Sequence, residues 1–227
     1  MTKPTRVDIT REKTLFALWR TASKFPKRKF NLVVTACVGL LLARYCALVW
    51  DQPDTLLALF RKIESTGFDF ATSILGFLVA GFTVFVTVTR LDMFLKMAKT
   101  EKSETGESVL KYNLSAFIVT FVHYVCYLLA CLLCELVLQP NGLASVAYQN
   151  ALTYPNLAAM LPSARTSVAA VLVVGFGSWT VYLIVLLKSF IYNVYQVTTT
   201  SVAYEWKQEE DSVRERESGE GRPVRAE

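Results

Sequence analysis

Apolar residues along this chain gather into four long blocks, residues 31–50, 70–89, 114–138 and 166–187, with polar segments between them. Each block has the roughly 20 residues that a helix needs to cross the hydrocarbon core of a bilayer. Buried in a soluble fold, four such runs would need a core that 227 residues can scarcely provide. The pattern therefore predicts an all-α integral membrane protein, a four-helix bundle.

Shorter amphipathic stretches flank the blocks. In residues 10–24, Leu15, Phe16, Trp19 and Ala22 fall on one side of a helix that is otherwise basic, which suits a membrane surface or packing on a partner or on the middle loop. Residues 55–66 read as a second amphipathic helix, lying on the outer surface or extending the second span, with Gly67 as a break. Pro140-Asn141-Gly142 signals a turn. After the fourth block, Thr198, Thr199, Thr200 and Ser201 are poor helix formers and predict an interruption. From Ser218 the composition predicts disorder.

Charge supplies the orientation. Of 24 Lys and Arg residues, nine lie in 1–30, five in 90–112 and six from Lys188 onward. The alternate segments carry only Arg61, Lys62 and Arg165. The positive-inside rule then predicts both termini and the middle loop in the cytoplasm. The formal net charge of +5 is thus an orientation signal and not a nucleic-acid footprint. All five cysteines fall inside the blocks, so no extracellular disulfide framework is expected.

Candidate chemistry is sparse. Ser73, Gly76, Ala80, Thr83 and Thr87 recur at spacings of 3 and 4, a small and polar stripe on one helix face. Such a stripe serves helix packing, within one chain or between subunits, or lines a narrow polar path. Arg90 continues it at the cytoplasmic end. Arg44 and Glu135 sit at similar depths near the outer ends of the first and third spans, which predicts an intramembrane ion pair. His123, the lone histidine, reads as a hydrogen-bonded interior group. It shares a face with Cys126 and Cys134, but one helix cannot close a tetrahedral metal site. Cys131 and Cys134 form a C-x-x-C like that of membrane thiol oxidoreductases, without the loop cysteines such enzymes need. No phosphate-binding loop or hydrolase motif is present. No catalytic residue, cofactor or metal is expected.

The segments ILGFLVAGFTVF (74–85) and VLKYNL (109–114) resemble a pattern in uncharacterised bacterial inner-membrane proteins. The resemblance implies a bacterial inner-membrane location and no activity. Proteins of this architecture also serve as membrane subunits of anti-phage systems.

The expected organisation is a basic amphipathic segment over 1–30, a four-span domain over 31–189 and a cytoplasmic helix with a tail over 190–227. The expected function is a non-enzymatic homo-oligomer in the lipid bilayer, acting as scaffold, sensor or anchor for a soluble cytoplasmic protein. An oligomeric channel lined by the second span is the alternative, and a thiol-redox enzyme the remoter one.

Overall fold

The computed structural model describes residues 29–88, 91–100, 108–154 and 158–220. The expected surface helix over 10–24, Arg90 and the final residues 221–227 lie outside them. The described elements are helical: α1 Lys29–Leu48, α2 Pro53–Val88, α3 Leu91–Lys99, α4 Val109–Leu138, α5 Leu143–Leu152 and α6 Leu161–Glu220. Four of them, α1, α2, α4 and α6, are long and apolar enough to cross a membrane. Their outward side chains fit that reading. Leu32, Leu40, Leu41, Phe77, Leu133, Leu136 and Val171 are all exposed.

Local sequence explains the boundaries. Pro53 opens α2, where its missing N–H goes unused. Ser108 caps α4 by accepting a hydrogen bond from the Lys111 amide at 3.2 Å. The Gln139–Gly142 turn has Asn141 at φ 62° and a Gly142 N–H to Gln139 O bond of 2.9 Å. Proline followed by a positive-φ residue is the signature of a type II turn.

α6 is the central element, touching α1, α2, α4 and α5. The core lies where α2, α4 and α6 meet, and its fully buried side chains include Phe60, Leu78, Tyr124, Tyr127, Cys131, Val173 and Leu183. α1 leans on α6. A Cβ at Gly39 would lie 2.9 Å from Ser178 Oγ, and one at Gly177 would meet Leu42. These glycines let the two backbones approach closely.

Cross-helix contacts set the relative heights of the helices. At one end the Asn31 amide donates to Ser189 Oγ at 3.2 Å, and Lys188 Nζ sits 4.7 Å from the Phe30 ring. Phe117 stacks on Phe82 at 4.3 Å and meets Phe190 at 5.6 Å. Midway, Tyr127 Oη and Thr180 Oγ1 are 2.8 Å apart beside Gly67, and Tyr124 Oη donates to Leu183 O at 3.0 Å. Farther along, Phe60 meets Phe176 edge-on at 5.3 Å. At the far end Arg61 donates to Leu138 O, and Arg165 pairs with Asp54.

These heights revise two expectations. The stretch of α2 level with the other long helices runs from Asp54 to Phe82, so it starts well before residue 70. Residues 55–66 are its first turns, and Gly67 is a contact point inside a continuous helix. Leu56 and Phe60 face the core while Arg61 and Lys62 point outward, so one helix accommodates both kinds of residue. α6 also runs unbroken through Ser201 and on to Glu220, beyond where disorder is expected. Thr198, Thr199 and Thr200 each donate their hydroxyl to a carbonyl one turn back, at 3.0, 3.0 and 2.7 Å, which removes their competition with the helix.

Candidate functional site: the two faces of α2

The Ser73–Gly76–Ala80–Thr83–Thr87 stripe lies wholly on the exposed side of α2. Gly76 has no atom within 4 Å of where its Cβ would be. Among the described residues, no other helix of the protomer packs on Gly76. The hydroxyls of the stripe turn back on the helix, Ser73 to Asp69 O at 2.9 Å, Thr83 to Val79 O at 3.0 Å and Thr87 to Thr83 O at 2.9 Å. The Ser73 and Thr83 oxygens keep accepting capacity for water or for another helix.

The stripe is longer than its sequence signature. Asp69 is four residues before Ser73 and Lys62 seven before Asp69, so both fall on the same exposed face. Asp69 lies two residues past Gly67, level with the midway contacts. Its carboxylate makes no hydrogen bond or ion pair among the described residues. A carboxylate facing lipid at such a depth costs about 2.5–3.5 kcal/mol on insertion scales.

The opposite face of α2 is buried and presents Phe60, Glu64, Gly67, Ala71 and Leu78 at the same helical spacing. Glu64 is 9% exposed. Its electrostatic neighbours are on α4, namely Tyr127, Cys131, Cys134 and Glu135. Directly beside it in the helix register, Gly67 abuts the Tyr127 hydroxyl. Tyr127 is held edge-on by Trp179 at 5.4 Å and tilted against Phe176 at 5.7 Å. Its hydroxyl partner Thr180 in turn donates to Phe176 O at 2.9 Å.

The remaining sequence candidates are dispersed. Arg44 and Glu135 are both exposed, and no ion pair joins them among the described residues. Glu135 stands near Glu64, and the ion pair found at this end is Arg165–Asp54. His123 is half-buried, with Nδ1 2.7 Å from Val119 O and its ring 5.4 Å from that of Tyr182. Cys126 is exposed, Cys134 half-buried and Cys131 fully buried. Among the described residues no group of three His, Cys, Asp or Glu side chains is arranged to hold a metal ion.

Sequence reasoning gave no role to Glu64, read within the amphipathic helix over 55–66, or to Asp69, which lies between that helix and the second apolar block. The signal was available in the 3-and-4 spacing, which continues through Gly67 without a break on both faces.

Beyond the fold, these features define a class: an all-helical chain with four membrane-length helices, the second of which turns a polar face outward. Compared with known protein families, with curated proteins and with solved structures, the chain has no match.

Proposed function

We propose that the chain is a non-enzymatic homo-oligomer of the bacterial inner membrane whose α2 helices converge and enclose a narrow polar path. The observation that carries this reading is the exposed polar face of α2, running from Lys62 through Asp69 to Thr87 on a helix whose other face is the core. Neighbouring copies, or water between them, would relieve the cost of placing Asp69 in lipid. The orientation follows from charge, with the basic-rich 1–30, 90–112 and C-terminal segments in the cytoplasm. Conductance of the purified protein in planar bilayers tests the path. Gly76→Leu should reduce it, and an absence of conductance from an oligomer that forms normally would sink the reading.

A second reading has its own support. Beyond Ser189, α6 continues through Phe190 to Glu220 as a helix about 45 Å long. Tyr195, Trp206 and Val213 are exposed along it. Such a rod suits a scaffold or anchor for a soluble cytoplasmic protein, and an anti-phage system is one setting for it. A co-purifying protein lost on removal of residues 202–227 would support this reading, and retention of that protein would reject it.

A further inference from the structure

Beyond Phe190 the two sides of α6 differ. Tyr204 is half-buried and turns to α3, where Lys96 Nζ covers its ring and Met93 and Met97 pack with it. On the opposite side Tyr195, Val202, Trp206 and Val213 recur at spacings of 7, 4 and 7 and form one exposed apolar stripe. Trp206 is 68% exposed. Exposed apolar surface rimmed by charge marks a site of interaction. Glu209 and Glu210 flank the stripe, and with Trp206, Val213 and Arg214 they line an open hollow on it. Residues 205–217 carry six acidic and three basic side chains, a net charge of −3.

The same face leads back to α1. Lys188 lies seven residues before Tyr195, in line with the stripe, and its Nζ sits 4.7 Å from the Phe30 ring. Beside it the Asn31 amide bonds Ser189 at 3.2 Å. The 28 residues preceding Lys29 therefore depart near the level of Ser189, on the side of α6 that bears the stripe. They include the amphipathic segment 10–24, with Leu15, Phe16, Trp19 and Ala22 on its apolar side. Its Arg11, Lys13, Arg20 and Lys24 against Glu12 give a net charge of +3. Reach fits as well. Extended, residues 24–29 span about 17 Å, and Lys29 to Asn31 add about 3 Å. Lys24 can thus come level with Val202, about 20 Å beyond Ser189. A helix over 10–24 continues for about 21 Å more and ends near the level of residue 216. Running antiparallel to α6, it lays Trp19 beside Trp206 and brings Phe16 and Lys13 level with Glu210 and Val213.

We propose that residues 10–24 dock as a helix on the Val202–Val213 stripe of α6 in the same chain. The apolar sides cover each other, and the basic flanks meet Glu209 and Glu210. Other occupants fit less well. A second copy of the rod would set a net charge of −3 against −3. A lipid surface would take the basic segment but leave Trp206 and Val213 in water. The docked segment covers the face to which the second reading above assigns a soluble partner, so such a partner has to displace it. The docking itself needs no such partner.

Photo-crosslinking tests this on the full chain in vesicles of mixed zwitterionic and anionic phospholipid, with Trp19 replaced by benzoylphenylalanine. On irradiation the benzophenone carbonyl takes a hydrogen from a neighbouring C–H bond, and the two carbon radicals join with nothing released. Peptide mass spectrometry should place the adduct on residues 202–213 of a chain that still runs as a monomer in denaturing gels. Adducts on lipid alone, on the middle loop or on a second copy would each overturn the proposal. Glu209→Lys with Glu210→Lys, both on the exposed surface, should abolish most of the adduct. Adding Lys13→Glu with Arg20→Glu should restore it. A yield indifferent to these changes refutes the docking, and so does a loss without restoration.

Discussion

Replacing Gly67 by alanine probes the tightest point of the core. A Cβ there would overlap the Tyr127 hydroxyl, lie 2.9 Å from Tyr127 Cζ and 3.2 Å from Thr180 Oγ1. Tyr127 has nowhere to go, being fully buried between Trp179 and Phe176. Overpacking of this kind costs about 1–3 kcal/mol. Loss of the Tyr127–Thr180 bond adds about 0.6 kcal/mol, the average for an interhelical hydrogen bond in a membrane protein. Alanine returns at most about 1 kcal/mol through helix propensity. The net expectation is a destabilisation of about 1–3 kcal/mol, measured by unfolding the detergent-solubilised chain with increasing dodecyl sulfate. Tyr127→Phe alone should cost only about 0.6 kcal/mol, since Thr180 keeps its bond to Phe176 O. In the double variant the worst overlap has vanished, so its cost should fall about 1 kcal/mol short of the sum of the single costs. Strictly additive costs, or a neutral Gly67→Ala, would refute the account of this contact.

The remaining predictions separate the protomer from its assembly. Gly177→Leu collides with Leu42 across the α1–α6 contact and should lower the stability of the isolated protomer. Gly76→Leu points into open space and should leave that stability unchanged while altering oligomer size on native gels; equal effects of the two on unfolding would contradict the assignment of faces. Arg165→Ala breaks a pair whose Asp54 partner is 84% exposed, so unfolding should shift by less than about 1 kcal/mol. Tyr204→Ala removes the ring that Lys96 Nζ covers at 3.3 Å and against which Met93 and Met97 pack. Faster amide exchange in α3, with α4 unchanged, is the expected result; unchanged exchange in α3 would show that this contact does not hold it.

The four long helices were legible because length and apolar content alone demand them. Their partnerships were not. Tyr127 with Thr180 and Gly39 with Ser178 join residues far apart in sequence, and no local pattern announces such pairs. The second block was begun at residue 70 because Arg61, Lys62, Glu64 and Asp69 lower the hydropathy before it, which left 55–66 as either a surface helix or an extension of the span. Helical spacing, followed through them, separates the outward Arg61 and Lys62 from the inward Glu64. The stripe was legible as a face, but its exposure is a property of the packed chain. The ion pair expected between Arg44 and Glu135 rested on equal depth alone, and depth says nothing about azimuth around the helix axis. Thr198, Thr199, Thr200 and Ser201 misled because propensity ignores hydroxyls that can bond back to the helix.

α6 is one uninterrupted rod of 60 residues, close to 90 Å from end to end. Its first half is gripped by four other helices, and its second half extends beyond Phe190, meeting α3 where Tyr204 packs on Lys96, Met93 and Met97. Mechanically it is a lever with its fulcrum at the gripped half. A tilt of about 5° there displaces a tip about 45 Å away by about 4 Å, more than half a turn of helix. Small rearrangements among tightly packed helices would thus be delivered, enlarged, first to α3 through its contact with Tyr204 and then to the helix beyond it.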